Sequence, residues 1–324
     1  MTRSAIAAHA IILIAAVTAP ASFAQDASSY LESQGLQARD LKTFQDLEIV
    51  VARPKPGTEG EERVIVLRQG KPLWHTDPKD AEPGSRWTIH SVGRELAGDG
   101  HPDAHISSFT NGAHCCTTHH VVQLKPQVKR IAAYPAGNVA GGDFIDVPGR
   151  KAPVMISADD SSANAFAPYA TSYFPLLVLE VGPRGRFQLA RDLMQSKLPG
   201  QPPAVCATNA PAANAWLRER CGEFTTVRRQ ERVTQVKARL GAVKEGRSVQ
   251  QLKWDDYVSK GALGPIAAEL NRYAYTGHGA AGLSWLETVW PGSDAIQLQL
   301  LSTLRQTQAK STFADDLKAL GSGR

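Results

Sequence analysis

The chain is poor in sulfur and in rings: 324 residues contain four cysteines, three methionines and 7% aromatics. It contains no C-x-x-C, G-x-S-x-G or H-E-x-x-H. Those absences remove the usual spacing signatures of a dithiol redox centre, an α/β-hydrolase nucleophile and a zincin metal site. No nucleophile can be paired with a base from sequence, so the balance is against an enzyme. Beyond residue 24 no apolar run approaches the ~20 residues that span a bilayer, and no transmembrane anchor is expected. Neither sign of charge dominates, with 36 Lys and Arg against 31 Asp and Glu.

The one apolar stretch of note is at the start. Met1 to Ala24 has a basic residue at Arg3, an apolar core from Ala10 to Val17, and Ser22-Phe23-Ala24 as a small-x-small cleavage site. This is the pattern of a secretory signal peptide. No cysteine follows the expected cut, which excludes lipoprotein acylation there, and a periplasmic or secreted protein is expected. Such a compartment offers no nucleic acid as a partner and allows disulfides. Cys206 and Cys221, with no other cysteine or histidine near them, are expected to pair, closing a loop worth about 3 kcal/mol in the chain-entropy model.

Periodicity divides the remainder. Ser29 to Glu32 has the S-x-x-E form of a helix start, with a helix expected to about Gln37, so residues 25–44 are read as a helical segment. From residue 45 to 200 the pattern is of short β-branched runs separated by Pro and Gly turns. Val64, Val121 and Val178 begin similar strand–turn–strand stretches at an equal spacing of 57 residues. A further strand precedes each, at Leu47–Ala52, Ala104–Phe109 and Pro153–Ala158. Residues 201–324 instead show apolar positions at helical intervals. Helices are expected through Phe224–Val243, Trp254–Lys260, Pro265–Tyr275, Gly282–Val289 and Ser293 to about Leu320. The fold class is therefore α+β: an antiparallel β-rich domain of about three blade-like repeats, an incomplete propeller-like array, followed by a C-terminal helical region. Ten of the chain's basic residues lie between Arg218 and Lys253. They form either a solvated helix face or a surface for an anionic lipid or cell-wall polymer.

Chemistry concentrates in Glu95–Leu124, which holds two cysteines and five of the nine histidines. It opens with Asp99-Gly-His-Pro-Asp103, a loop that resembles the calcium-binding turn of FG-GAP or integrin-type β repeats. That resemblance implies oxygen ligation of calcium by Asp99 and Asp103. Ala97 and Glu95 depart from the usual ligand pattern, which weakens a site needing six to eight oxygens. With Asn111-Gly-Ala-His-Cys-Cys116, Asp159-Asp160 and Phe166–Tyr169, the stretch is similar to exported bacterial proteins of unknown function. These carry a Gly-Gly-Ala-His-Cys-Cys segment within such repeats; the likeness implies a fold and transfers no activity.

Cys115 and Cys116 admit three readings. As a vicinal disulfide they would rigidify a turn at the cost of strain, because adjacent α-carbons are only ~3.8 Å apart. As a metal site, strict strand alternation would place His114, Cys116 and His120 on one face, a donor set suited to zinc or copper. Otherwise they are idle thiols. No motif requires a cofactor; copper, zinc or calcium are the ions these residues could take. Asp159-Asp160 is expected to cap and solvate a strand end. Gly277-His-Gly-Ala-Ala-Gly282 follows a helix rather than a strand and is expected as an inter-helix loop. The favoured function is a non-catalytic binding or scaffolding module that meets an envelope protein or cell-wall polymer. The alternative is a metal-binding or thiol-redox protein acting through His114-Cys115-Cys116.

Overall fold

The computed structural model describes residues 21–112, 116–139, 142–183, 185–248, 251–291 and 294–322. Helix α1 (Ala21–Ser33) leads into three antiparallel four-stranded sheets, each a meander in chain order. The first contains β1 (Leu36–Phe44), β2 (Leu47–Pro54), β3 (Arg63–Arg68) and β4 (Lys71–His75). The second contains β5 (Arg86–Arg94), β6 (Asp103–Phe109), β7 (Thr117–Gln123) and β8 (Lys129–Gly137). The third contains β9 (Asp143–Ile145), β10 (Val154–Ala158), β11 (Leu176–Val181) and β12 (Phe187–Leu189). The repeated valines mark equivalent places: Val64, Val121 and Val178 all lie in the third strand of their sheet.

Two expectations change here. Each unit has a fourth strand, in front of those the repeat predicted, so residues 36–44 are β1 rather than the end of a helix. Gly35, at φ +67°, ends α1 in a conformation open to glycine and turns the chain into that strand. β1 is hard to see in sequence because only Leu36 is buried and the rest of the strand is half-buried or exposed. The expected cleavage point after Ala24 lies inside α1, whose Ala27 and Leu31 pack on Val50, Ala52, Ile65 and Leu67.

The middle sheet is covered on both faces. Trp87, Ile89, Ala104, Ile106 and Val122 meet Leu47, Ile49, Val51, Val64 and Val66 of the first sheet. On the other face Val121, Ala132 and Tyr134 join Ile145, Val154, Ile156 and Leu177 of the third sheet and the helical residues Leu217, Tyr275 and Phe313. A strand so enclosed is buried on both sides of its pleat, and in β7 that burial takes in the polar His119, His120 and Gln123 as well as Val121 and Val122.

The helical region follows the sequence expectation closely. After the short α2 (Arg191–Met194), α3 (Ala210–Ala213) and α4 (Ala215–Gly222) come α5 (Thr226–Lys244), α6 (Trp254–Ser259), α7 (Leu263–Tyr275) and α8 (Gly279–Val289). Their apolar faces form a core through Val236, Leu240, Tyr257, Ile266, Leu286 and Trp290. The final expected helix is two, α9 (Ala295–Lys310) and α10 (Ala314–Ser322), parted at the buried Ser311. The bond Cys206–Cys221 is present, with α-carbons 5.5 Å apart, and holds α3 and α4 within its loop.

Candidate functional site

Three neighbouring strands of the middle sheet each contribute one histidine to a single corner. His105 in β6 pairs with Val121 and Ser107 with His119 in β7, so His105 and His119 are diagonal neighbours on the face turned to the third sheet. His90 enters from β5 by a different device. Ile89 pairs with Ile106 and Ser91 with His105, so His90 is the extra residue of a β-bulge. The bulge sets its ring over that of His105, with centroids 4.3 Å apart and planes at 21°.

Each of the three rings offers a nitrogen within 4.8 Å of the other two. His105 Nε2 and His119 Nδ1 are 3.0 Å apart, at hydrogen-bond distance. His90 Nε2 lies 2.8 Å from Ser107 Oγ. Two imidazoles bound to zinc at ~2.0–2.1 Å in tetrahedral geometry would have their nitrogens about 3.4 Å apart. The His105–His119 pair is close to that spacing. His90, at the exposed rim, needs only to turn from Ser107 and off the His105 ring.

The surroundings tune these rings toward the neutral form that binds metal. Burial holds the His105 pKa well below the ordinary histidine range, and His119, His90, His120 and Arg94 add to the effect. Although His90 is exposed at the rim, the protein packed around its ring also lowers its pKa by desolvation, opposed by Asp143 and assisted by Lys42. Both rings therefore could accept a cation near neutrality without first losing a proton. Phe144 meets His105 edge-on at 5.1 Å, and Tyr134 lies 6.3 Å from His119. A Cβ at Gly142 would fall 2.5 Å from His119 Nε2, so glycine is the residue that leaves this ring in place. Asp143 also accepts from Asn214 Nδ2 at 3.4 Å, and Asn214 caps α4 through the amide of Leu217. The corner thus touches the disulfide-closed loop.

His90 and Ser107 have the form of a base and a nucleophile, yet the hydroxyl is 7% exposed within a central strand. The amides of β6 are committed to the ladders with β5 and β7, leaving no pair of N–H groups to stabilise an oxyanion there. The arrangement suits ion binding better than acyl transfer.

The site residues expected from sequence are dispersed. His120 is one position from His119 and faces the first sheet, buried against Trp87 at 5.1 Å. Its Nε2 has no partner among the described residues, and burial lowers its pKa to about 4. Cys116 is disulfide-bonded and does not offer a thiolate. Its amide donates to Thr110 Oγ1 at 2.6 Å and its carbonyl accepts from Thr110 N at 3.2 Å. His114 and Cys115 lie outside the described residues. The donor set His114, Cys116 and His120 therefore lacks its thiolate, while the adjacent His119 belongs to the histidine corner.

The acidic loop is turned inward on its own amides. Asp103 is fully buried, and its Oδ2 accepts from Leu96 N at 2.8 Å. Burial pushes its pKa up to about 6, against the hydrogen bond from Leu96 and with the nearby Asp99. Asp99 accepts from His101 N at 3.0 Å and Gln123 Nε2 at 3.4 Å, while Glu95 accepts from Gly100 N at 2.6 Å. Lys151 donates to the carbonyl of Gly98 at 2.6 Å. Asp99 and Glu95 are thus engaged by loop amides, whereas Asp103 Oδ1 is buried with no partner among the described residues.

The histidine corner has no compact sequence motif. Its only signals were a histidine density in Glu95–Leu124 and the period-2 placement of His105, Ser107 and His119, Val121; His90 required the bulge. No protein-family model matches this chain, and no curated protein or solved structure matches it, so the corner's chemistry is argued from its own residues.

Proposed function

We propose that this chain is an exported, non-catalytic binding protein that takes up a divalent transition metal, zinc or copper, through His90, His105 and His119. The single observation that carries this reading is the convergence of three ring nitrogens, all within 4.8 Å, from three adjacent strands. Borderline ions favour imidazole, and a rigid sheet limits the ordering needed to assemble the ligands. Export is the expectation from Met1–Ala24, and blade-like units of FG-GAP type would be the scaffold. Equilibrium dialysis of the purified protein against zinc and against copper, followed by elemental analysis, tests the reading. About one ion per chain is expected, with uptake lost in His105→Ala and kept in His120→Phe. Full uptake by His105→Ala, or none by the parent protein, would sink it.

A second reading, scaffolding of an envelope component, is favoured by how firmly the sheets are joined to the helices. Leu217, Tyr275 and Phe313 enter the core of the third sheet, and Arg272, held within the helical region by Glu223 and Glu269, sets its guanidinium 4.3 Å from the ring centroid of Tyr173 in the segment between β10 and β11. This gives a partner a fixed relation between the two regions. Cross-linking in the native envelope distinguishes the readings, since a scaffold would capture a defined partner regardless of metal.

A further inference from the structure

The histidine corner uses none of the helical region's outer surface, where a second site is built. Helix α5 buries Val236, Leu240 and Val243 on one side. Thr226, Arg229, Gln230, Val233 and Thr234 recur at intervals of three and four and form a stripe along another. That stripe is one wall of a groove of about 550 Å³, closed by Trp285 of α8 and by Glu269 of α7. Lys237 is the next position of the stripe, one turn beyond Val233 and Thr234.

Three properties of the groove restrict its occupant. The first is charge: α5 carries six Lys and Arg and one acid, Glu231, which is taken by Arg228 at 3.1 Å. Glu269 is held at 2.7 Å by Arg232 and at 3.1 Å by Arg272, so the wall it forms is neutralised. Arg229, whose guanidinium lies beside Gly200, lines the groove with no carboxylate partner among the described residues and leaves it positive. The second is the aromatic surface. Trp87 and Trp290 are fully buried, whereas Trp285 is half-buried and reaches the groove beside Tyr273, with ring centroids 6.4 Å apart. The third is the donor set: the side chains of Thr226, Gln230, Thr234 and Trp285 make no hydrogen bond within the described residues.

We infer that this groove binds an acidic saccharide, a pyranose chain bearing carboxylates. A Trp ring offers a flat apolar surface with one N–H, suited to the C–H face of a sugar. Hydroxyl, amide and indole donors suit ring hydroxyls, and the Arg229 guanidinium matches a carboxylate in two-pronged geometry. An acidic peptide would use the charge but not this combination of aromatic surface and short polar donors. The inference stands independently of the metal site, since no residue is shared.

The test uses the full-length protein, with a galacturonate hexamer as probe and its methyl ester and a glutamate-rich peptide of equal charge as comparisons. Binding is read by calorimetry and by Trp fluorescence. The hexamer is expected to bind at least tenfold more tightly than either comparison. Trp285→Ala and Arg229→Gln should each weaken binding at least tenfold. Because Trp285 also packs near Tyr273, the exposed Gln230→Ala, expected to weaken binding severalfold with an unchanged melting curve, guards against a mere folding effect. Absent hexamer binding, equal binding of the peptide, or full binding by Arg229→Gln and Gln230→Ala would each overturn the inference.

Discussion

The phenol of Tyr275 donates to Asp159 Oδ2 at 2.8 Å, joining the end of β10 to helix α7 across 116 residues of sequence. The same oxygen accepts from the hydroxyl of Ser311 at the break between α9 and α10, and Asp159 Oδ1 accepts from Ser161 N at 2.8 Å. Asp159, Tyr275 and Ser311 are all buried. Asp159, expected from sequence to be solvated, is instead the point where three segments meet. Burial and this carboxylate hold the Tyr275 hydroxyl well above the usual phenol range. Replacing Asp159 by Ala leaves two buried hydroxyls without their acceptor, and a loss of about 3 kcal/mol is expected. Asp159→Asn should lose less, because the amide oxygen still accepts. Urea unfolding of the two variants measures the difference, and equal midpoints would show that the carboxylate is not the tie.

Metal retention should persist into acid. Protons compete with the ion for imidazole nitrogen only below each ring's own pKa, and His90 and His105 are both held low. Zinc dialysed against a descending pH series should leave with a midpoint below the ordinary histidine pKa of about 6.5. Gly142→Ala, which sets a methyl against His119, should reduce uptake without removing any ligand. A midpoint above 6.5 would contradict the assigned environment.

His120 makes a separate contribution to acid sensitivity. Its folded pKa of about 4 lies below the unfolded value of 6.5, so between those values the unfolded chain binds the proton that the folded one refuses. Stability from this group is full above pH 6.5 and falls as pH drops toward 4, by about 3 kcal/mol in all. Asp103 acts oppositely over part of the window. Its carboxyl, raised to about 6, holds a proton more readily when folded and favours the folded state as pH falls from 6 toward 4. His120→Phe should therefore gain stability relative to the parent between pH 6.5 and 4. Denaturant midpoints at pH 7, 5.5 and 4 record it, and a difference that does not change with pH refutes it.

The Cys206–Cys221 bond constrains a loop of 15 residues. Replacing both cysteines by Ser should remove about 3 kcal/mol in the chain-entropy model. The lowered Tm should be matched by reducing the parent protein. If reduction leaves Tm unchanged, the bridge contributes nothing.

Much of this architecture is legible in the sequence because its signals are local. The 57-residue spacing located the third strand of every sheet, and helical periodicity found α5, α6, α7 and α8 within a few residues. β1 escaped because its buried side is little more than Leu36. The break at Ser311 escaped because the contact it makes there, a hydrogen bond to Asp159, is distant in sequence. The histidine corner was half visible. Density pointed to two of the three rings, but the face assignment rested on unbroken alternation from His114, which lies outside the described residues. Within β7, the pairing of His119 with Ser107 places it opposite to His120. His90 depended on a register shift that no residue pattern announces.

That shift gives the corner an unusual dependence on integrity. One histidine comes from each of three successive strands, and one of those enters only because a bulge displaces it. No shorter fragment than this run of strands could hold all three rings together. Ion affinity would thus report whether the middle sheet is assembled in register. A slip of one residue in β7 would exchange His119 for His120, moving a ligand into the seam with the first sheet and emptying the corner in the same event.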